Sequence, residues 1–314
     1  MKRFPALPLA IVAFGVAGAG WAQTRPQWPF LVPDKQQPPA KAEAGPIRIP
    51  DSSKTYTAAE IDNLAHPPDW FPDEHGPVPR VVEGASGSTA LACGSCHLMR
   101  GQGHPESADL AGMPVEYIVR QMADFKNGTR IDPARMNAIA KITSEEDARK
   151  AAEWFAALKP TMWVKVMESP TVPKSFVSTR GRMRLPLPAG GTEPLGNRII
   201  ELPQDAARAE SRDPHSGFVA YVPVGSVAKG KRLVASGGAG KTINCTICHG
   251  DDLKGLGDVP RIAGLHPIYI GRQLYAFQGH EYSGTSAALM KKVVAKLADD
   301  DILAISAYVA SLAP

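Results

Sequence analysis

All four cysteines of this 314-residue chain lie in two copies of the pattern C-x-x-C-H, at residues 93–97 (CGSCH) and 245–249 (CTICH). In a helical turn the first and fourth residues of this pattern share one face, and the fifth lies about one turn beyond the first. Two thiols can therefore form thioether bonds to a porphyrin while the histidine reaches its iron from the same side. The pattern is typical of covalent attachment of haem c (heme c), so its two copies predict two such groups.

The residues predicted to attach the haems are Cys93, Cys96, Cys245 and Cys248, with His97 and His249 as iron ligands. C-x-x-C also occurs in zinc sites and in dithiol redox centres, and cysteines of exported proteins usually form disulfides. The histidine that follows each pair, together with the absence of a leftover cysteine, argues against these three alternatives.

The first 22 residues have the features of an export signal. Two basic residues precede an apolar run from about Leu7 to Val16, and small residues lead to a cleavage site after Ala22. An uncleaved membrane anchor is the alternative, but the run is short, and no later stretch is apolar enough to span a bilayer. We therefore expect a periplasmic protein with a signal peptide at residues 1–22. Whether the segment is removed, and whether the protein associates peripherally with the membrane, stays open.

Composition limits the partners and the number of domains. The formal charge of +4 is modest and includes no long basic run, and haem propionates would offset it, so nucleic acid (DNA included) is not expected as a partner. The chain also contains 29 glycines and 29 prolines, more than one compact helical domain needs. Its length suits two or three small domains with extensive connecting segments.

The second half of the chain repeats the first. An offset of 152 residues aligns the two C-x-x-C-H patterns and the motif L-A-G with I-A-G. The same offset matches Tyr117 with Tyr269, Arg120 with Arg272, Gln121 with Gln273 and Phe125 with Phe277. Near the end of each copy the offset becomes 154, which aligns Trp154 with Tyr308. The second copy therefore has two additional residues in an intervening loop.

The alignment also identifies candidates for the sixth iron ligand. Met290 is the only methionine after Cys248, and the offset of 154 places it on Met136. A thioether is a soft, neutral ligand that suits haem iron and raises its reduction potential relative to a second histidine. We therefore predict Met136 and Met290 as axial ligands. The alternatives are the methionines Met99, Met113 and Met122, which are more typical of core positions, and the non-aligned, presumed surface histidines His104 and His280.

Short helices are needed to position these residues. Apolar residues recur at helical spacing over residues 115–126, and Gly128 is expected to end that helix. Ser144 precedes three acidic residues in a pattern close to a capping box, and Asp299 begins a similar acidic turn, so a helix is predicted at each position. A further short helix is predicted near Thr57.

Each copy resembles a class I cytochrome c, and the pair is similar to the tandem diheme cytochromes of bacterial respiratory chains. The resemblance covers residues 86–160 and 225–314 and depends on C-x-x-C-H, the helix after it, the methionine and the aromatic residue of the last helix. It implies a mostly α fold of two class I cytochrome c domains in tandem, each with histidine and methionine on opposite sides of a haem. Ala108 departs from the pattern, because the second copy has Pro260 there, and this predicts haems that differ in potential or exposure.

Two segments lie outside the repeat. Residues 23–85 form a proline-rich N-terminal extension in which residues 70–72 (WFP) are predicted to anchor packing. Residues 161–224, here called the strap, are longer than a simple connector needs to be. Apolar runs at 162–166 and 196–202 predict a partly extended strap that packs on the haem domains. The strap either spaces the two domains or provides a docking surface for a partner.

Two arginines at matching positions, Arg120 and Arg272, are candidates for contact with the haem propionates. Each belongs to the predicted helix that follows C-x-x-C-H. The alternative is that both arginines lie on a solvated helix face, and the sequence does not distinguish between the two.

Iron whose two axial positions are filled by protein side chains cannot readily bind a substrate, so it accepts and donates single electrons. The sequence therefore predicts an electron carrier rather than an enzyme. The expected partners are periplasmic or membrane-bound redox proteins, namely a dehydrogenase, a cytochrome complex or a terminal oxidase. Two alternatives remain: a diheme peroxidase, which needs one iron with an open site, and the cytochrome subunit of a periplasmic dehydrogenase, which only the strap supports.

Overall fold

The computed structural model describes residues 25–39, 45–85, 87, 90–132, 134–279 and 281–314. The predicted signal peptide, residues 1–22, and His280 lie outside the described residues. Within the described ranges, none of the helices is long and apolar enough to cross a membrane.

The helices of the described residues are short, with at most 13 residues each. They are α1 (Ala58–Ile61), α2 (Arg80–Glu83), α3 (Gly94–His97), α4 (Val115–Asn127), α5 (Met136–Ile142), α6 (Glu145–Ala157), α7 (Ala206–Glu210), α8 (Ser226–Ser236), α9 (Thr246–His249), α10 (Pro267–Gln278), α11 (Ala287–Val294) and α12 (Asp299–Ala310).

Four helices of the first copy have counterparts in the second at the offsets seen in the sequence. Helices α3 and α9 carry the C-x-x-C-H patterns, α4 and α10 follow them, α5 and α11 carry the predicted methionine ligands, and α6 and α12 end each copy. The predicted helices are confirmed. Gly128 ends α4 in the left-handed conformation (φ 79°), and the Ser144 hydroxyl caps α6 by accepting a hydrogen bond from the Asp147 amide (3.0 Å). The helix predicted near Thr57 is α1.

The strap is built mainly from short β-strands. Its strands are β1 (Val164–Glu168), β2 (Thr171–Pro173), β3 (Ser175–Val177), β4 (Arg184–Pro186), β5 (Thr192–Pro194), β6 (Ile200–Pro203) and β7 (Phe218–Val222). Strand β7 lies between β1, to which it is parallel, and β6, to which it is antiparallel. Strands β2 and β5, and β3 and β4, form antiparallel ribbons. The extended runs predicted in the strap are thus confirmed as β1 and β6.

Helix α12 forms the centre of the core of the second copy. Nearly all of its residues are buried, including Asp301 in its first turn, which pairs with Lys229 (3.0 Å) and Lys241 (2.8 Å). Helix α8 packs directly against it. At Gly230 of α8, a Cβ atom would collide with the Ala304 carbonyl oxygen, so only glycine permits this close approach of the two backbones.

The strap and the N-terminal extension both pack on the first copy. One apolar cluster joins Leu98, which directly follows the first C-x-x-C-H, to the strap residues Trp163, Met183, Leu185, Ala209 and Phe218. Trp70 of the N-terminal extension is buried, and its indole nitrogen donates to the Ser211 carbonyl of the strap (2.8 Å). Residues 70–72 are therefore a packing anchor, as predicted.

Replacement of Gly230 by Ala should destabilise the protein. The added methyl group must force α8 and α12 apart, and overpacking of this kind costs about 1–3 kcal/mol, more than the helix propensity that alanine gains. Denaturant unfolding of the holoprotein, followed by far-ultraviolet circular dichroism, measures the change. Gly76→Ala is the matched control, because a Cβ atom there meets nothing within 4 Å. Equal stability of the two variants would contradict the packing described.

Candidate haem sites

The two C-x-x-C-H patterns form equivalent turns. The amide of His97 donates to the Cys93 carbonyl (3.0 Å), and the amide of His249 donates to the Cys245 carbonyl (3.0 Å). Each turn brings two thiols and one imidazole together, as the spacing predicts. None of the four cysteines forms a disulfide.

Both histidines are oriented by a main-chain carbonyl. The Nδ1 atom of His97 lies 2.8 Å from the Ala108 oxygen, and the Nδ1 atom of His249 lies 2.8 Å from the Pro260 oxygen. Burial lowers the pKa of both imidazoles, which keeps them neutral. A hydrogen bond at Nδ1 leaves Nε2 for a metal, the usual arrangement of a ligating histidine. Ala108 therefore supplies the same carbonyl contact as Pro260. The replacement of proline by alanine in the first copy does not remove the hydrogen bond to the histidine.

A single cavity of about 1200 Å³ is lined by both patterns. This volume exceeds the usual range of a pocket for one small molecule. Met136 and Met290 line it, and so do Met113 and Met122, whereas Met99 belongs to the core and packs against Gly94. The structure thus places all of the predicted haem ligands around one space. It does not choose among the lining methionines, so Met136 and Met290 stay predictions.

His104 is not the surface residue that the sequence suggested. Its side chain lines the cavity, and its Nε2 atom lies 3.1 Å from the Ser107 hydroxyl. Burial, reinforced by nearby His266 and Arg212, holds the pKa of His104 well below its usual value. The surface expectation was wrong because the strap, distant in sequence, covers the loop that carries His104.

Arg120 and its neighbour Gln121 offer unused donors to the cavity. The Nε atom of Arg120 and the Nε2 atom of Gln121 are buried and meet no hydrogen-bond acceptor in the described part of the chain. Buried donors without acceptors are costly, so an acceptor such as a carboxylate is expected there. This observation fits the predicted propionate contact of Arg120.

Arg272 is already engaged by the protein. Its guanidinium pairs with Glu106 (3.2 Å) and donates to the carbonyls of Pro29 (3.0 Å) and Pro105 (3.1 Å). It is buried, so the solvated-face alternative does not hold for this residue. The propionate contact of Arg272 stays a prediction, and its terminal nitrogens have other acceptors.

Arg130 is a residue that the sequence did not single out. It is only 7% exposed, lines the cavity and donates to Gln121 (2.5 Å), Gln273 (2.6 Å) and the Tyr269 hydroxyl (3.2 Å). It forms no ion pair with a carboxylate of the described ranges. Burial acts to lower the pKa of Arg130, but Tyr269 and the neighbouring tyrosines raise it, so the guanidinium remains charged. The repeat offered no signal, because the offset aligns Arg130 with a tyrosine.

The contacts next to Arg130 are reciprocal between the two copies. The Ile131 amide donates to the Glu281 carbonyl (2.7 Å), and the Ser283 amide donates to the Thr129 carbonyl (2.6 Å). The offset of 152 aligns these four positions in pairs. The two copies therefore face each other about an approximate two-fold axis close to the cavity.

Comparison with known proteins agrees with this geometry. Residues 227–313 match the family model for cytochrome c. The cytochrome c-554(548) of Halomonas halodenitrificans is 35% identical over 78 residues, which are 24% of this chain and 94% of that protein. Two longer matches exceed the length of one copy. The thiosulfate dehydrogenase electron acceptor of Thiomonas intermedia is 25% identical over 227 residues, 71% of this chain and 79% of that protein. Cytochrome c4 of Pseudomonas aeruginosa is 25% identical over 232 residues, 73% of this chain and 87% of that protein.

The fold and the site together are those of a class I c-type cytochrome. The chain belongs to the cytochrome c family. Membership implies covalently bound haem c, which confirms the kind of cofactor predicted from C-x-x-C-H.

Replacement of Arg272 by Met should strongly destabilise the holoprotein. Burial raises the pKa of Glu106, and removal of its cationic partner leaves a buried carboxyl group uncompensated. Loss of one member of a buried pair costs about 3–5 kcal/mol. Denaturant unfolding tests this, with Arg149→Met as the matched control, because its ion pair with Glu116 is exposed and should contribute nothing measurable. Addition of Glu106→Gln to Arg272→Met should restore part of the lost stability, because the unpaired carboxyl group is removed. Equal stability of Arg272→Met and the control would contradict the buried ion pair.

Proposed function

We propose that this protein carries two haem c groups and transfers single electrons between redox partners. The observation that carries the proposal is the equivalence of the two C-x-x-C-H turns, each with paired thiols and a neutral, carbonyl-bound histidine at one cavity. Cys93 and Cys96 would hold one haem, and Cys245 and Cys248 the other. When bound, these groups supply reversible one-electron chemistry.

The proposed architecture is two class I cytochrome c domains in tandem, residues 86–160 and 225–314, joined by the strap. The matched order of helices and the reciprocal contacts between the copies support this arrangement. Residues 23–85 and 161–224 pack on both domains, on the first through Leu98 and on the second through the Glu201–His266 pair and the hydrogen bond from Arg272 to Pro29.

Closed coordination is the reason for proposing a carrier rather than an enzyme. His97 with Met136, and His249 with Met290, would fill both axial positions of each iron. A peroxidase needs one iron with an open or displaceable axial position. The two copies offer the same histidine and methionine at matching positions, which argues against one open and one closed site. The residues of the chain then act by holding the haems, excluding water and neutralising charge, the last through Arg120 and Arg130.

The proposed setting is the periplasm, reached through the N-terminal signal, and the partners are other redox proteins. The similarity to a thiosulfate dehydrogenase electron acceptor favours a dehydrogenase as one partner. It also supports a second candidate function, that of a dedicated cytochrome subunit of such a dehydrogenase. A cytochrome complex or a terminal oxidase remains the expected partner on the acceptor side. Co-purification of a catalytic subunit would distinguish the dedicated subunit from a free carrier.

Two haem sites per chain predict a simple stoichiometry. The variants Cys93→Ala/Cys96→Ala and Cys245→Ala/Cys248→Ala should each retain about half of the haem stain of the parent on a denaturing gel, because each loses one of two attachment sites. The parent should not turn over hydrogen peroxide. A double variant that retains all of its haem, or peroxide turnover that survives purification, would contradict the proposal.

Met136 and Met290 as axial ligands predict a spectroscopic change. Replacement of either by histidine should lower the potential of one haem and remove part of the iron–sulfur charge-transfer absorption, because imidazole donates more strongly than a thioether. Met122→Leu is the control, since Met122 also lines the cavity but is predicted to be a core residue. If Met136→Ala leaves the absorption intact, the ligand of the first site lies elsewhere, with Met113 as the next candidate.

A further inference from the structure

The two C-x-x-C-H turns differ sharply in exposure. Ile247, inside the second pattern, is 65% exposed, whereas Ser95 at the aligned position of the first is 2% exposed. Cys248 is exposed, while Cys96 is half-buried. Because a thioether ties the edge of the haem to these cysteines, the surroundings of the pattern decide whether another protein can approach that edge.

The first turn is covered by residues from outside the repeat. Arg212 of the strap donates to the Ser95 carbonyl and lines the cavity. Arg180 of the strap pairs with Asp62 of the N-terminal extension (2.9 Å), and both line the cavity. We call Arg180, Arg212 and Asp62 the cap.

The second turn has no such cover among the described residues. The Thr242 hydroxyl donates to the Val293 carbonyl (2.8 Å), which holds the loop before the pattern against α11. Three large apolar side chains are exposed around this turn: Ile243 (46%), Ile247 (65%) and Leu289 (68%). We call these three residues the apolar rim. Ile243 and Leu289 also line the cavity, so these two members of the rim lie where the cavity opens to the surface beside the second turn.

The charge beside the rim favours an acidic partner. Lys292 is exposed, lines the cavity mouth one helical turn from Leu289, and makes no ion pair within the described ranges. Lys291 and Lys296 extend the positive charge along the same segment. Asp251 and Asp252 lie two and three residues after the pattern, so the basic side of the rim is the one next to α11.

We propose that electrons enter and leave this protein through the second haem site alone, at the apolar rim, while the cap insulates the first. The proposal rests on the two-haem function. The partner is a redox protein with an apolar contact surface and an acidic group that faces Lys292. In each exchange one electron passes between the second site and the redox centre of the partner, so that one is oxidised as the other is reduced. A further one-electron exchange inside the chain connects the first site.

Distance is the physical reason for a single port. Electron transfer slows steeply as two centres separate, and at the first turn the strap covers Ser95 and leaves Cys96 half-buried. At the second turn a partner can contact the pattern itself and bury the apolar rim. Small, transient interfaces of this kind depend on a few apolar contacts, with charge complementarity increasing the rate of encounter.

Rim variants of the holoprotein test the proposal. Ile247→Glu and Leu289→Glu place a carboxylate in the contact surface, and Ile142→Glu, 73% exposed on α5 of the first copy, is the matched control. Each reduced protein is mixed in a stopped-flow instrument with an oxidised, acidic blue-copper protein, and haem absorption is followed. Both rim variants should react at least tenfold more slowly, while the control reacts as the parent does. Haem content and both midpoint potentials should be unchanged in Ile247→Glu and Ile142→Glu, whose side chains do not line the cavity.

Two results would overturn the single port. One is equal rates for the rim variants and the control. The other is a Cys245→Ala/Cys248→Ala variant, with haem on the first site only, that reacts as fast as the parent. If that variant does not fold, the rim variants still decide the question. Failure of the two-haem function is distinguishable, because it would appear in the parent as a wrong haem content or as an absence of electron exchange.

Discussion

A positive charge buried between the two repeats constrains the whole arrangement. The Arg130 guanidinium contacts Gln121 of α4 and Gln273 of α10, yet no carboxylate of the described ranges neutralises it. An unpaired buried charge is costly, and its cost is offset only when an anion is close. Propionates of haem bound as proposed would supply such anions, and the unused donors of Arg120 and Gln121 face the same cavity. On this proposal, haem binding, charge balance and the pairing of the two copies depend on one another.

The segments outside the repeat make two similar copies unequal. The strap builds its own small sheets and packs on both copies, on the first through Leu98 and Arg212 and on the second through the buried Glu201–His266 pair. The N-terminal extension contacts the strap through Trp70 and the second copy through Pro29. Among the described residues, the second C-x-x-C-H turn lacks the cover that Arg212 gives the first. A duplicated domain by itself would present two similar haem edges, and under the proposal above this cover gives the two sites different access to partners.

The sequence predicts those structural elements that depend on residues close together along the chain. The five residues of C-x-x-C-H are consecutive, so the turn that they form depends only on local contacts. Helices α4 and α6 likewise follow from local apolar spacing and, for α6, from a capping serine. Contacts between distant segments were not predictable in this way. The burial of His104 under the strap is one example, and the pairing of Arg272 with Glu106, 166 residues away, is another. The repeat does not mark Arg130, because the offset of 152 aligns it with Tyr282, and an approximate two-fold axis needs only one such residue.

We propose that the chain holds two closed haem sites that each carry one electron. A spectroelectrochemical titration of the purified protein, combined with electron paramagnetic resonance of its oxidised form, tests this directly. We expect two electrons to be taken up per chain and low-spin signals from both haems, because a histidine and a methionine would fill both axial positions of each iron. A high-spin signal from either haem, or uptake of a single electron per chain, would contradict it.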